Sequence, residues 1–189
     1  PLPYMMGWIT LSKEKQKNDV SVLEIEKDIE RLKVITDRFS KVGSTPELSP
    51  RNLIETLSNT VKYLQKRSSE HVQFTLDLPK KGIIIPFNPE LISWTLENLI
   101  KNAIDAMKGK GTLGIRVTEF DLHVEILISD TGTGMPKEIA SKIFDPGFTT
   151  KSRGWGLGLS LAKRIVVDFH GGKISVVKTA LGKGTQFKI

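Results

Sequence analysis

Hydrophobic residues recur at two spacings along the chain, one typical of helices and one typical of strands. Across residues 22–42 they come every three or four positions, with charged residues between them, which is the pattern of an amphipathic helix with a coiled-coil-like stripe. Residues 2–9 have a shorter version of the same pattern, and the polar segment 12–19 separates the two. Residues 1–43 are therefore predicted to form an antiparallel helical hairpin.

A two-helix hairpin has too little surface to bury such a stripe alone. Packing against a second copy would bury it and would give a homodimer whose four helices form a bundle. The alternative is that the hairpin folds back onto the rest of the chain.

Mixed strand and helix patterns follow the segment 43–50, whose glycine and prolines predict a linker. The predicted strands are 71–78, 82–87, 112–120, 122–130, 173–178 and 185–189, the second pair as a hairpin that turns near Asp121. The predicted helices run from a cap at Ser49–Pro50 to about Ser68, from Asn88 to about Met107, briefly after Pro136, and from about Gly156 to Phe169. This order predicts an α+β fold, with the hairpin domain at 1–43 and a two-layer α/β sandwich with a mixed sheet at 44–189.

Composition narrows the possible partners. The 189 residues include no cysteine, which excludes a disulfide framework or a thiolate metal site, and no apolar run is long enough to predict a membrane span or membrane contact. The net charge of +7 suits an anionic partner. Nucleic acid is disfavoured because the basic residues are scattered, without an aromatic-interleaved stripe. A nucleotide, an acidic protein or a plain basic surface remain open.

Four short segments carry the candidate chemistry: NLIKNA at 98–103, DTGTGM at 130–135, GWGLGL at 154–159 and GKGT at 182–185. On the predicted helix 88–107, Thr95, Asn98, Asn102 and Asp105 fall on the face opposite the apolar arc. An amide oxygen is a suitable ligand for a hard cation such as Mg²⁺. An ordinary polar face of a surface helix is the competing interpretation.

Asp130 ends a predicted strand whose inward positions are Leu122, Val124, Ile126 and Ile128. A buried carboxylate needs a donor, and the exocyclic amine of adenine would be one. Gly132 and Gly134 would let a flat ring lie close to the backbone, although an ordinary Asp-Gly turn also fits.

The glycines of 154–159 precede a helix pattern, where backbone N–H groups attract anions. The preceding loop 131–153 contains IFDPGFTTKSR, which predicts either a mobile lid with a basic tip over phosphates or a disordered surface loop. Neither the Walker pattern nor the dinucleotide-binding glycine pattern is present.

In this order and with the IFDPGFTTK insert, the four segments closely resemble the catalytic ATP-binding domain of bacterial sensor histidine kinases. That domain belongs to an ATPase superfamily shared with gyrase, mismatch-repair and heat-shock chaperone ATPases. The resemblance covers about residues 48–189, and residues 1–43 resemble the family's dimerisation hairpin. It implies ATP and Mg²⁺ as cofactors, a cytoplasmic location, and the receiver domain of a response regulator as partner.

The resemblance also implies roles for single residues. Asn102 would be the Mg²⁺ ligand with Asn98 beside the phosphates, and Asp130 would accept from the adenine amine. Lys151 and Arg153 would contact phosphate from the lid. The remaining implied contacts are of three kinds. Gly134 and Thr185 would lie at the adenine, and Gly154, Gly156 and Gly158 along the triphosphate. Leu157 and Leu159 would anchor the foot of the lid.

Asn98 separates two reaction classes within this superfamily. Its water-activating ATPases carry a Glu there, which can act as general base, whereas an Asn cannot. Phosphoryl transfer to a histidine is therefore expected, and a hydrolytic ATPase clamp with Glu97 as base is the alternative; a binding module without nucleotide is a third possibility.

The family's phosphoacceptor box reads roughly His-Glu-x-x-Thr-Pro-Leu, and the chain opens at Pro1-Leu2. The acceptor histidine is expected to lie upstream of Pro1, so that the fragment itself would not autophosphorylate. His71, His123 and His170 do not match the box and are expected to be structural.

Overall fold

The computed structural model describes Ile29 and residues 46–151 and 156–189. Ile29, which belongs to the predicted hydrophobic stripe, is helical and buried. The rest of the predicted hairpin and its turn at 12–19 lie outside the described residues, so the hairpin, its dimerisation and the two predicted domains stay predictions. Glu47–Ile189 form one compact unit.

A five-stranded mixed sheet forms one layer of this unit, in the order β2-β4-β5-β7-β6. Only the β2–β4 pair is parallel, and a separate antiparallel ribbon pairs β1 with β3. The strands are β1 Ser49–Asn52, β2 Val72–Asp77, β3 Ile84–Phe87, β4 Gly111–Glu119, β5 Val124–Asp130, β6 Ser175–Thr179 and β7 Thr185–Lys188.

Helices form the second layer. They are α1 Leu53–Gln65, α2 Pro89–Ala106, the short α3 Lys137–Ala140, and α4 Gly158–Arg164, which continues as a π-helical segment over Ile165–Phe169. Among the described residues, no helix combines the length and the apolar character that crossing a bilayer requires. The predicted α+β fold is confirmed.

Helix α2 contacts the sheet as well as helices α1 and α4, and it buries its predicted apolar arc. The Asn88 side chain caps it by accepting from the Leu91 N–H at 3.1 Å, and Pro89 follows in the first turn, as helix-start chemistry favours. The buried arc consists of Ile92, Leu96, Leu99, Ile100, Ala103 and Met107. The placement of Thr95 on the exposed polar face was wrong: it is fully buried, and its hydroxyl is satisfied by donating to the Leu91 carbonyl at 3.2 Å.

Two predicted boundaries were also wrong. Ser49 and Pro50 do not cap a helix; Ser49–Asn52 pair with β3, and the Asn52 side chain caps α1 by accepting from the Ile54 N–H at 3.1 Å. Pro50 is tolerated in that strand because it faces Pro86 in a two-stranded ribbon. Leu122 is not an inward strand position, since it lies in the turn between β4 and β5 and is 96% exposed.

Candidate functional site

The polar face of α2 carries the first predicted segment. Asn98 is partly buried, and its Nδ2 is the one buried side-chain nitrogen or oxygen without a hydrogen-bond partner in the described part of the chain. A Cβ atom on Gly158, the first residue of α4, would lie 3.2 Å from the Asn98 Oδ1. The absence of a side chain at position 158 thus keeps space beside the Asn98 amide, whose unpartnered Nδ2–H group is a suitable donor to an anionic oxygen.

Asn102 and Asp105 lie further along the same helix, and a single cation joins them. The Lys151 ammonium, from the loop after α3, donates to the Asn102 Oδ1 at 2.8 Å and to the Asp105 Oδ2 at 2.6 Å. The ion pair is exposed, so its contribution to stability is small. Its geometry nevertheless shows that an amide oxygen and a carboxylate face the same positive charge.

Asp130 ends β5 with its carboxylate buried, 8% exposed. The Oδ1 accepts from the Gly132 N–H at 2.8 Å and from the Thr185 N–H at 3.3 Å. Burial raises the pKa of the Asp130 carboxyl above its ordinary value, and the two backbone hydrogen bonds oppose that shift. The second carboxylate oxygen, Oδ2, makes no hydrogen bond within the described residues.

The glycines of the second and fourth segments are sites of close backbone contact. A Cβ on Gly132 would lie 2.6 Å from the carbonyl carbon of Ala106, at the end of α2. Gly134 and Gly184 both have φ in the left-handed region, at 61° and 76°. A side chain on Gly134 would collide with the Ala180 carbonyl, and one on Gly184 with the Asp130 carbonyl, so only glycine fits these positions.

The third segment is only partly described, because residues 152–155 lie outside the described part. Arg153 and Gly154, two of the predicted phosphate contacts, therefore stay predictions. Gly156 has φ 64° and its carbonyl accepts from the Gly147 N–H at 3.1 Å, which connects the predicted lid to the third segment. Leu157 directly precedes α4 and makes no side-chain cap hydrogen bond, and Leu159 is half-buried in the first turn of that helix.

Contacts connect the four segments, the second of them through Ala106 of helix α2, three residues beyond the first segment. Asn98 lies against Gly158, the Thr133 N–H donates to the Ala106 carbonyl at 3.0 Å, and the Thr185 N–H reaches Asp130. A cavity of about 550 Å³ elsewhere, beside β1 and the starts of α1 and α2, includes no residue of the four segments. The predicted site residues within the described part therefore form two groups connected through helix α2, whereas the roles implied for them stay proposals.

Thr179 is a residue of the group around Asp130 that the sequence analysis missed. It ends β6, and its Oγ1 accepts from the Met135 N–H at 3.0 Å and lies 3.2 Å from the Thr185 Oγ1. A hydroxyl residue at the end of a strand, directly before the ALGKGT turn, was the available signal.

The comparisons with known proteins agree with this geometry. The family model of the histidine kinase-, DNA gyrase B-, and HSP90-like ATPase matches residues 88–189. Sensor protein TdiS of Thauera aromatica is 29% identical over 180 residues, which are 92% of this chain and 32% of that protein. Sporulation kinase E of Bacillus subtilis is 28% identical over 195 residues, 100% of this chain and 26% of the kinase. The chain thus spans about a quarter to a third of the length of these curated relatives.

Solved structures share the fold. The catalytic domain of histidine kinase ThkA has a TM-score of 0.69 at 29% identity and covers 76% of this chain and 93% of its own. Full-length ShkA in complex with AMPPNP has a TM-score of 0.79 at 21% identity, covering 100% of this chain and 42% of that one. Histidine kinase ThkA in complex with the response regulator protein TrrA has a TM-score of 0.70 at 23% identity, covering 99% and 56%.

The family model begins at the cap of α2 and ends with β7, so the residues that it matches contain both described groups and the helix that connects them. Both the sequence match and the joined segments therefore point the same way: the chain belongs to the histidine kinase-, DNA gyrase B-, and HSP90-like ATPase family.

Proposed function

We propose that this chain is the ATP-binding core of a two-component sensor histidine kinase. In the whole protein, ATP would give its γ-phosphoryl group to a histidine, and an aspartate of a response regulator would receive it from there. The observation that carries the proposal is the connection of four distant segments through helix α2, with the unpartnered Asn98 amide on that helix. The AMPPNP complex of ShkA, which shares the fold, supports the choice of nucleotide.

The phosphate end of the site would lie between α2 and the start of α4. Asn98 would donate its free Nδ2–H to a phosphate oxygen, because a buried donor without a partner gains the most from a charged acceptor. Gly158 leaves room beside the Asn98 side chain, and Gly156 lets its backbone pack closely against Gly147 and Phe148. Lys151, on the lid, supplies positive charge at the same end.

The residues present fit a magnesium ion. Asn102 Oδ1 and Asp105 Oδ2 already share one cation, the Lys151 ammonium, and oxygen ligands of this kind are those that Mg²⁺ prefers. Asn102 would hold the ion, with Asp105 adding negative charge nearby. A bound Mg²⁺ neutralises charge that develops on the transferring phosphoryl group.

The base end of the site would lie at Asp130. Its Oδ1 is held by two backbone N–H groups, so the carboxylate has a fixed orientation and can direct Oδ2 to an adenine amine. Thr185 lies beside it, and Gly134 keeps the backbone close.

Transfer is favoured over hydrolysis because α2 offers no suitable base at the phosphates. Asn98 cannot take a proton from water. Glu97, the alternative base, accepts from the Lys101 ammonium at 3.1 Å on the surface of α2. Nothing in the described residues therefore favours the hydrolytic clamp.

The acceptor histidine and the partners belong to the whole protein. His170 is engaged in the fold, since its Nε2 accepts from the Asn88 N–H at 3.1 Å and its Nδ1 lies 2.7 Å from the Ile165 carbonyl. His123 stacks on Phe120. We therefore propose that the acceptor histidine lies on a separate segment. We also expect homodimerisation through the hairpin 1–43. An acidic receiver domain is expected to bind the basic chain in the cytoplasm.

Incubation of the chain with γ-labelled ATP and Mg²⁺ tests this proposal. Saturable ATP binding without protein-bound label is the expected result. An acid-labile label on the chain would show that one of its three histidines is an acceptor, and steady release of phosphate that is lost in Glu97→Ala would favour the clamp.

A further inference from the structure

Thr179 is a hydrogen-bonding centre between the second and fourth segments. Its Oγ1 accepts from the Met135 N–H at 3.0 Å. The same atom lies 3.2 Å from the Thr185 Oγ1 and 3.3 Å from the carbonyl oxygens of Gly184 and Met135. The Thr179 hydroxyl therefore connects the backbone of Met135 to Thr185, whose N–H donates to Asp130.

The neighbouring acceptors favour one direction for the hydrogen bond between Thr179 and Thr185. A hydroxyl has one proton and two acceptor lone pairs, and its orientation is assigned from the surrounding network. The Thr179 oxygen accepts from Met135, and its own proton has two nearby carbonyl acceptors, on Gly184 and Met135. Every group is satisfied when the Thr185 hydroxyl donates its proton to Thr179.

This arrangement determines what Thr185 can offer to a ligand. The Thr185 side chain is 5% exposed, and its bond to Thr179 is the only hydrogen bond of its hydroxyl within the described residues. Once its proton points to Thr179, only acceptor lone pairs remain. The free oxygen of the neighbouring Asp130 carboxylate is likewise an acceptor, so both side chains at the base end would present acceptors.

We propose that Thr179 is a positioning residue that makes the site selective for a 6-amino purine over a 6-oxo purine. Two acceptors match the amine of adenine, which donates, and they repel the carbonyl oxygen of hypoxanthine, which only accepts. Without the Thr179 hydroxyl, the Thr185 proton is free to turn toward the ligand and donate to a 6-oxo group. The inference rests on the proposed nucleotide site and adds to it the residue that sets base selectivity.

The test compares affinities for ATP and inosine triphosphate, which differ at position 6 and at the adjacent N1, by calorimetry on the full chain with Mg²⁺, and the change of this ratio between variants is the readout. Thr179→Val keeps the β-branched shape and removes the hydroxyl, whereas Thr179→Ser retains it. Thr118→Val is the matched control. Thr118 lies on β4 and pairs with Glu125, which is at the other end of β5 from Asp130. We expect Thr179→Val to reduce the preference for ATP roughly three- to tenfold, and the other two variants to keep the wild-type ratio.

The outcomes separate this inference from the proposed function. If the wild-type chain binds neither nucleotide, the nucleotide site itself is refuted. If it prefers ATP and Thr179→Val weakens both nucleotides equally, Thr179 is only structural and the inference is wrong. Should Thr179→Val not fold, exchange of the Met135 amide in the wild-type chain decides: protection supports the hydrogen bond to Thr179, and unprotected exchange overturns it.

Discussion

Two opposing effects act on the pKa of the Asp130 carboxyl. Its carboxylate is buried at the end of β5, and burial raises the pKa of the carboxyl from the ordinary 3.8 despite two backbone hydrogen bonds. A raised pKa means that the folded chain binds the proton more tightly than the unfolded chain does. The free energy of unfolding therefore falls as the pH rises from about 3.8 through the raised pKa, and the cost is fully present above that range.

Asp130→Asn should consequently stabilise the chain and impair its proposed function. The Asn Oδ1 can still accept from Gly132 and Thr185 while the buried charge is removed, so the melting temperature without nucleotide should rise at neutral pH. That gain should shrink as the pH is lowered toward the titration range of the wild-type carboxyl. ATP affinity should fall roughly ten- to hundredfold, because a charged acceptor is replaced by an amide whose N–H₂ faces the adenine amine.

Thermal melts across pH and calorimetry measure both effects. Asp121→Asn, in the exposed turn between β4 and β5, is the control and should change neither. A variant at position 130 that melts lower at neutral pH would mean that the two hydrogen bonds outweigh the cost of burial.

At the residue scale, substitution of Asn102 tests whether its side chain binds the Mg²⁺ ion. In the wild-type chain, Mg²⁺ should raise ATP affinity roughly 5- to 150-fold, the usual range of coupling between two ligands. Asn102→Ala should remove most of that gain, because it deletes the oxygen that faces the Lys151 cation. Calorimetry with and without Mg²⁺ measures the coupling, and Asn59→Ala on α1 is the control. Full coupling in Asn102→Ala would exclude Asn102 as the metal ligand.

At the scale of elements, the turn between β6 and β7 tests why the last segment needs its glycines. Gly182 and Gly184 both have φ near 75°, so alanine costs about 1–2 kcal/mol of backbone strain at either position. A Cβ at Gly182 would meet nothing within 4 Å, whereas one at Gly184 would collide with the Asp130 carbonyl. Gly184→Ala should therefore lower the free energy of unfolding by about 1–3 kcal/mol more than Gly182→Ala does.

Urea unfolding of the two alanine variants gives this difference directly, and each variant is the other's control for the left-handed backbone. Equal losses would mean that β5 and the turn can separate without cost, and that the contact does not hold the base end together.

The sequence predicted those elements that local patterns determine. Helix α2 has a cap, a proline in its first turn and a regular apolar arc, so its bounds and most of its buried face were predicted well. Thr95 was misplaced because a threonine can bury its hydroxyl by bonding the backbone one turn earlier. The strand β1 was missed because its partner β3 lies more than thirty residues away, and pairing over that distance leaves no local periodicity. Thr179 was missed for the same reason, since its function depends on two segments that only the fold brings to it.

For the whole molecule, sheet topology explains how distant segments meet. Strands β5 and β7 are antiparallel neighbours, so the last residue of β5 and the first residue of β7 lie at the same end of the strands. Asp130 and Thr185 stand at these two positions. The end of α2 contacts the loop after β5 through Ala106 and Thr133. The helix that carries Asn98 and Asn102 therefore ends at the same place.

Every described contact of the candidate site lies within Glu47–Ile189, which forms one compact unit. We therefore expect residues 47–189, produced alone, to fold and to bind Mg-ATP within about threefold of the affinity of the full chain, since no contact with ligand is removed. At a concentration one hundred times the dissociation constant, ATP should stabilise both by about 2.7 kcal/mol, an increase of roughly 5–11 °C in melting temperature for domains of this size. Asp130→Asn in the shorter chain is the control: because its affinity is roughly ten- to hundredfold lower, ATP at the same concentration should stabilise it by only about 0.4–1.4 kcal/mol. If residues 47–189 fold but bind ATP far more weakly than the full chain, residues 1–46 contribute directly to the site, and the nucleotide pocket is not the property of one compact unit.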